Sequence, residues 1–590
     1  MSSVPTVREE FLEPVRRTLR WLASLRDERG RIVCPEHRVE HSGKNAGAIV
    51  SACELLRLDP GRDAEFLRSL AIQQAHRLCD NLVCEVDSAC HTFRPGRHDP
   101  FNCSNSVIDG GACSDALAHV VTALGDSLPA ADRERFAAAS LLHARTYLRY
   151  AVLDKGIPAQ RAWGLTGLAG AWALENDPVL GSAAIEAVGV LEGIQHADGS
   201  FPYHPLEWGA LHAGSADVSA FYQSRVTGFT MHALERMGRD PRDAIFSAPI
   251  LRGLEFLHAL QAPDGVKCGL VEAKPWYWGA EYEVASHPFD VHAFATGWRL
   301  FRRERHARAA VRAFRAWVDH LTPEGRPTSH RSAPGRGRSY QCPVFWSGHA
   351  MWLARALVDL EAAARVPDEP ATNSSAIDLR VTWFPDAQLG RLEDGAVVAW
   401  VRGARPPVNQ HHGSPHGAGL LRVWSKTRGA DVLLRRRLDA GNEGEWSVRS
   451  GHFAPARGFR ANRDELRFSL WLSRVAWRAG RPGDALLTPL RIGRDGCWSF
   501  ARSQASSAFD LSPEVDVDGD GIRVRSALAH RDGTRVRGSL LERHFSIDGH
   551  GLVVEEHLRD PGDARAIDYR APGRATEVVR SPARATWRLS

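Results

Sequence analysis

The sequence predicts a multidomain α+β protein, an N-terminal (α/α) toroid of about six helical hairpins followed by an antiparallel β-sandwich. Three observations carry that expectation. Apolar residues recur at spacings of three and four from Phe11 to Ala364. An acidic residue close to Gly punctuates the helical runs at Asp27-Glu28-Arg29-Gly30, Asp198-Gly199, Asp264-Gly265 and Glu324-Gly325. Beyond Pro367 the apolar period falls to about two, among Gly, Asp and Pro turns.

The first hairpin pairs residues 7–26, where Phe11, Val15, Leu19, Leu22 and Leu25 share a face, with a helix from Lys44-Asn45 through Leu56. Residues 64–82 with 107–124, 131–152 with 160–175, 179–195 with 218–237, 246–261 with 288–303, and 305–320 with 344–364 repeat the pattern. Each pair must bury its apolar face on its neighbours, which closes a ring or nearly so. LTGLAGAWAL, Leu165 to Leu174, suits an inner helix: it is apolar all round, and its small residues let helices approach. The loops that lead into the second helix of each pair lie at one end of the ring, so polar residues distant in sequence converge there. Asn102, Asn105 and Asp109 fall where caps and turns are expected, as do Lys44 and Asn45.

The toroid is expected over residues 1–366, a linker over 367–375 (PDEPATNSS), and the β-sandwich over 376–590. Short alternating segments mark its strands: Asp378 to Trp383, Gly395 to Val401, Leu420 to Trp424, Val432 to Leu438, Leu466 to Leu472, Ile522 to Ser526 and Leu552 to His557. Asp516 to Gly521 has the spacing of a calcium loop at its start, but Ala527 stands where Glu would close the site, so a hairpin turn is expected.

A chain of 590 residues exceeds one ordinary core. Its 43% hydrophobic and 25% charged residues are those of a soluble globular protein. The net charge is only +5, and 75 Lys+Arg are spread among 70 Asp+Glu, which argues against a nucleic-acid partner and suits an acidic substrate. The first residues include Glu9 and Glu10 and lack the continuous apolar core of a secretory signal, so a cytoplasmic location is expected. No apolar run is long enough to span a membrane. Cys79, Cys84, Cys90, Cys103 and Cys113 cluster, but without an export signal they read as thiols, and Cys79, Cys84, Cys90 and His91 lack the usual zinc spacing. No metal and no cofactor is expected.

The stretch from Asp198 to His204 (DGSFPYH) leads, after a loop, to Ser219-Ala220-Phe221-Tyr222-Gln223-Ser224-Arg225 at the start of an inner helix. This D-G-S-F and S-x-x-Y arrangement, ahead of a β-sandwich, resembles the heparinase II/III-like and alginate-lyase-like polysaccharide lyases. The resemblance implies that Tyr222 is the proton-transfer Tyr. It also implies that the segment VNQHHGSPHG, Val408 to Gly417, brings His412 or His416 into the cleft. Where the family carries an Asn at the start of an earlier inner helix, this sequence has Gln160-Arg161 before Trp163, and the family's Asp after its His pair is missing.

The implied reaction is β-elimination of a uronic-acid-containing polysaccharide or oligosaccharide. The C5 proton is too weakly acidic to leave unless the adjacent carboxylate is neutralised. Gln160, Asn105, Arg161 or Arg225 has the donors for that, and Tyr222 with His412 or His416 can move protons. Loop aromatics offer flat faces for sugar rings: Tyr203, His204 and Trp208, then Trp276, Tyr277 and Trp278, then Tyr340 and Trp346. A glycoside hydrolase on the same ring would need two carboxylates from Glu207, Glu281, Glu283 and Asp290. A non-catalytic glycan-binding or polysaccharide-assembly protein is the third reading.

Overall fold

The computed structural model describes residues 7–35, 40, 42–84, 90–93, 107–154, 157–203, 217–268, 270, 286–328, 343–367, 380–404, 418–434, 444–449, 504–530, 533–562, 566–570, 572–581 and 583–590, with isolated positions between 470 and 487. Its helices alternate between an outer and an inner set. The outer set is α1 (Glu9–Ser24), α3 (Ala64–Asp80), α5 (Ala130–His143) with its continuation α6 (Arg149–Asp154), α8 (Pro178–Ile194), α10 (Ala244–Leu260) and α12 (Glu304–Val318). The inner set is α2 (Ser42–Leu58), α4 (Ile108–Leu124), α7 (Pro158–Glu175), α9 (Ala220–Arg236), α11 (His287–Phe301) and α14 (Ala350–Ala363), the last preceded by short α13 (Pro343–Gly348). Each inner helix packs on the next, and α14 returns to α2, so the ring closes. The six hairpins are those expected from the apolar spacing.

Inner helices are buried almost all round; every residue of α7 from Arg161 to Ala171 is buried. Close approach requires glycine at the crossings. A Cβ on Gly111 of α4 would lie 2.3 Å from the Trp163 carbonyl oxygen, and one on Gly47 of α2 would lie 2.2 Å from that of Gly348. On the axis, aromatic rings from four inner helices form a plug. Phe229 stacks on Trp352 at 4.1 Å, and Trp163 meets Phe229 edge-on at 4.7 Å and both Phe289 and Trp352 at 5.9 Å.

The Gly-bearing turns are a repeated device that knits the outer helices. Asp27–Arg31, His196–Ser200, Ala262–Val266 and Thr322–Arg326 share one hydrogen-bond pattern. The first N–H donates to the fifth carbonyl, and the fourth residue's N–H donates back to the first carbonyl. That fourth residue is Gly30, Gly199, Gly265 or Gly325, each with φ between +73 and +91°. At three of them the next outer helix in the ring touches the turn: a Cβ would lie 2.2 Å from the Arg252 carbonyl oxygen at Gly199 and 2.2 Å from that of Arg312 at Gly265, and 2.4 Å from the Arg17 carbonyl carbon at Gly325. Gln195 and Gln261, just before two of the turns, each donate to a carbonyl of that neighbour, Pro249 and Ala309, at 3.0 Å.

The strands form a sandwich. One sheet is β3 (Arg380–Phe384), β4 (Leu389–Glu393), β5 (Val397–Arg402), β6 (Gly419–Ser425) and β7 (Ala430–Leu434) in chain order. The facing sheet has the order β10 (Glu514–Val517), β11 (Gly521–Ser526), β12 (Leu540–Ile547), β13 (Leu552–Asp560), β16 (Arg584–Leu589) and β15 (Thr576–Ser581). A third, of β14 (Ala566–Arg570), β8 (Glu445–Arg449) and β9 (Gln504–Ser506), completes it, and a small hairpin of β1 (Leu82–Cys84) and β2 (His91–Phe93) belongs to the toroid. Val517 pairs with Ile522, so Asp518 to Gly521 is a hairpin turn. Of the strand expected at Leu466 to Leu472 only Leu470 is described, and its backbone is helical. Apart from Pro367, the expected linker lies outside the described residues.

The central strands β5 and β6 of the five-stranded sheet are buried on both faces. Val397, Ala399 and Val401 of β5 pack with Ile522, Val524 and Phe545 of the facing sheet, whereas Val398 and Trp400 pack with Phe256, Ala259 and Leu260 of α10. In β6 a bulge sets Leu421 and Arg422 opposite Trp400, which lets both side chains meet the toroid. Trp400 Nε1 donates to the Ala259 carbonyl at 2.8 Å and Arg391 Nη1 to that of His258 at 3.3 Å. The sandwich thereby adds donors to carbonyls at the end of α10, where the His258 carbonyl also accepts the Gln261 N–H.

Replacing Gly265 and Gly30 by Ala separates the two demands on these turns. Gly30→Ala meets open space, so it costs only the left-handed backbone, about 1 kcal/mol. Gly265→Ala must also displace a backbone carbonyl and is expected to cost a further 1–3 kcal/mol or so. Unfolding midpoints check this, and equal losses at the two positions would contradict the knitting role.

Candidate active site at the toroid mouth

The inner helices begin at the end of the ring where the sandwich docks, and this mouth holds most of the described candidate residues. Tyr222 lies in the first turn of α9 and is half-buried. Its ring stacks on Tyr203 at 5.2 Å and 14°. Tyr203 is held by its N–H, which donates to the Asp217 carbonyl at 2.8 Å, and by the bridge between Pro202 and Val218. Buried Gln223 staples the two segments together. Its Oε1 accepts the Phe201 N–H at 2.9 Å, and its Nε2 donates to the carbonyls of Phe201 and Ser219 at 3.1 and 2.8 Å.

One turn further on, the Arg225 guanidinium sits among three rings, 4.0 Å from the centroid of Phe221, 5.1 Å from Tyr222 and 4.5 Å from Phe289. It is only 3% exposed, so its charge acts on these rings rather than on solvent. Across the axis, Lys44 Nζ lies 3.5 Å from Asp109 Oδ1 and 5.5 Å from the Trp163 centroid. His349 lies between them, 4.6 Å from Phe289 and 6.3 Å from Trp163. Beside α9, Lys267 Nζ donates to Asp290 Oδ1 at 2.7 Å, both side chains buried. Burial pushes the Asp290 carboxyl up, and the Lys267 ammonium pulls against it.

Several expected residues stand elsewhere. The Asp198-Gly199 turn is engaged by the sandwich: Asp198 Oδ2 accepts the Ala387 N–H at 2.9 Å, and its own N–H donates to Asp386 Oδ2 at 3.2 Å. Arg161 is buried, and its guanidinium donates to the Val152 carbonyl at the end of α6, where it acts as a helix cap. Gln160, in the first turn of α7, is half-buried. Trp346 belongs to α13 and is 1% exposed, so it is core and offers no open face to a sugar. Asn105, His204, Trp208, Trp276, Tyr277, Trp278, Tyr340, His412 and His416 lie outside the described residues, as do Glu207, Glu281 and Glu283. The fourth carboxylate of the hydrolase reading, Asp290, is fully buried in its ion pair.

Below the aromatic plug lies a second polar layer. Arg355 Nη1 pairs with Asp115 Oδ2 at 2.7 Å, His232 Nε2 lies 3.8 Å from Asp115 Oδ1, and His119 Nε2 lies 3.1 Å from Glu54 Oε1. Burial would raise the Glu54 carboxyl, but His119 and Arg57 together hold it down at about 2. Burial, reinforced by Arg355, depresses His232 to about 4. Among the described cysteines, Cys34, Cys53, Cys113 and Cys268 are buried. Among the described residues no group of His, Cys, Asp and Glu is placed to hold a metal, and no helix is long and apolar enough to cross a membrane.

The architecture is an (α/α) toroid joined to an antiparallel β-sandwich. In sequence, no known family and no curated protein matches the chain. Among solved structures, the Streptomyces coelicolor chondroitin AC lyase, in complex with chondroitin sulphate, is similar over 94% of this chain and 67% of its own, with a TM-score of 0.50 and 13% identity. Cellobiose 2-epimerase from Spirochaeta thermophila matches over 59% of this chain and 97% of its own (TM-score 0.43, 14% identity). A family 88 glycosyl hydrolase from Bacteroides vulgatus matches over 60% and 99% (TM-score 0.42, 13% identity).

The lower layer makes stability acid-sensitive. Unfolded, His232 takes up a proton near its ordinary 6.5, whereas folded it resists until about 4, so the unfolded state binds more protons in that window and stability falls as pH falls. Glu54, depressed to about 2, acts in the same direction below its ordinary 4.5. The His232 shift corresponds to roughly 3 kcal/mol at the acid end. His232→Gln is expected to flatten the unfolding midpoint between pH 6.5 and 4; an unchanged slope would contradict the assignment.

Proposed function

We propose that this chain is a polysaccharide lyase that cleaves a uronic-acid-containing glycan by β-elimination, with residues 1–366 as its catalytic toroid, joined through 367–375 to the sandwich 376–590. The observation that carries the reading is the Tyr203–Tyr222 stack beside Arg225 at the start of α9, on the end of the ring where the sandwich docks. Tyr222 takes the C5 proton; the C5–H electron pair forms the C4=C5 double bond, the C4–O bond breaks, and the departing oxygen takes up a proton. A cation 5.1 Å from the ring stabilises the phenolate form in which Tyr222 accepts that proton. Because Arg225 is buried, neutralising the uronate carboxylate falls to other groups, and Gln160 and Asn105 are assigned to it. His412 or His416 shares the proton transfer. Tyr203, His204, Trp208, Trp276, Tyr277, Trp278 and Tyr340 supply faces for the sugar rings.

The broader reading, a glycan-processing enzyme on an (α/α) toroid, is supported by the likeness in fold to the chondroitin AC lyase over nearly the whole chain. Burial of Asp290 against Lys267 weighs against the hydrolase, since it withdraws one of the carboxylates that reading needs.

The test follows the ultraviolet absorbance of the unsaturated product while wild type and Tyr222→Phe are incubated with a panel of uronate polymers and oligosaccharides. Wild type is expected to generate the signal, and the variant to lose about 10²- to 10⁴-fold in rate. Reducing ends without the absorbance would replace elimination by hydrolysis. Retained glycan binding with neither product would make the chain a binding or assembly protein.

A further inference from the structure

Lys267 and Asp290 form a fully buried ion pair that touches none of the described reacting groups. Burial makes such a pair weak evidence for stability, because the cost of desolvating both charges offsets their attraction. Its place in the chain is informative. Lys267 directly follows the Ala262–Val266 turn, which the sandwich grips as it does the His196–Ser200 turn through Asp386 and Ala387. Buried Arg422 donates to the Val266 carbonyl at 2.8 Å and to Asp264 Oδ2 at 3.0 Å, while its Nε donates to Asp431 Oδ1 at 2.6 Å within the sandwich. At the other end, Asp290 lies in the first turn of α11, with Ser286 Oγ at 3.5 Å and His287 Nδ1 at 3.8 Å. Its chain neighbour Phe289 carries the ring against which Arg225 lies, and Ser224 of α9 is among the groups that ease its charge.

The contacts therefore run without a break from Arg422 to the turn, to Lys267, to Asp290, to the Phe289–Arg225 contact and so to Tyr222. We propose that Lys267 and Asp290 are a positioning pair that couples docking of the β-sandwich to the placement of Arg225 and Tyr222. The role rests on the reading of Tyr222 as the proton-transfer residue. Two apolar side chains would fill the same space, but only a directional bond fixes the register between the turn and α11. The pair thus makes a competent mouth depend on a docked sandwich.

The test uses the full chain and the double variant Lys267→Met/Asp290→Leu, which removes both charges together and so avoids leaving one buried and unpaired. Asp290→Asn serves as a second variant should the double one not fold. Two readouts separate positioning from mere support. In turnover of a uronate polymer, kcat is expected to fall about 10- to 10²-fold while KM stays within about threefold. In the absence of substrate, the Tyr222 titration, isolated as the ultraviolet difference between each protein and its own Tyr222→Phe counterpart, is expected to move to higher pH as the phenolate loses its cation. A variant that folds with an unchanged Tyr222 titration and unchanged kcat would overturn the proposal. If wild type eliminates nothing yet the titration shifts, the lyase reading fails and the positioning pair stands.

Discussion

Packing of Trp163, Phe229, Phe289 and Trp352 on the ring axis is the contact on which the rest depends. Four large rings from four inner helices must meet, with Phe229 and Trp352 at 4.1 Å, and they can do so only if the helices themselves come close. Around them the ring is drawn in at glycines: Gly111 lets α4 lie against α7 and Gly47 lets α2 lie against the end of α13, where any Cβ would strike a backbone carbonyl. The plug divides the axis in two. Above it, toward the end of the ring where the sandwich docks, lie Lys44 with Asp109, His349, and the first turns of α9 bearing Tyr222 and Arg225. Below it Asp115, Arg355, His232, His119 and Glu54 form a polar layer held by the Arg355–Asp115 ion pair and the His119–Glu54 contact. One aromatic layer thus determines which titratable groups share the mouth with Tyr222.

Docking of the sandwich is the second constraint. β5 alternates Val397, Ala399 and Val401 toward one core with Val398 and Trp400 toward the other, so this strand belongs to both domains at once. Polar side chains at the contact meet backbone carbonyls, and one also meets a carboxylate: Trp400 and Arg391 reach the end of α10, and Arg422 reaches the Val266 carbonyl and Asp264 in the turn that follows it. Docking is therefore specified at the helix ends that lead toward the mouth. The same side of the ring carries both the interface and the Tyr222 stack.

Much of this order is visible in the sequence, and the parts that are not have physical reasons. Apolar spacing marks all six hairpins because each helix buries a face on a neighbour, and the spacing survives whatever the loops do. The glycine turns are visible as turns, yet their work, holding the next outer helix and the sandwich, depends on distant partners, 189 residues away for Asp198 and Ala387 and 306 for Pro323 and Arg17. Arg161 reads as a cleft residue because it opens a helix, but its guanidinium bends back to α6. Trp346 reads as a loop aromatic, whereas α13 folds it into the ring. Gln223 carries no motif; its one signal is an amide between Tyr222 and Arg225 on a helix that the ring buries. The bulge at Leu421-Arg422 appears only when β5 and β6 are paired.

The central claim is that the chain breaks a glycan by elimination, and the masses of the products test it most directly. A defined uronate oligosaccharide that wild type cleaves by elimination gives fragments whose masses sum to that of the substrate, one of them with a C4=C5 double bond at its new non-reducing end. Fragments that together exceed the substrate by one water, with both ends saturated, would contradict the account.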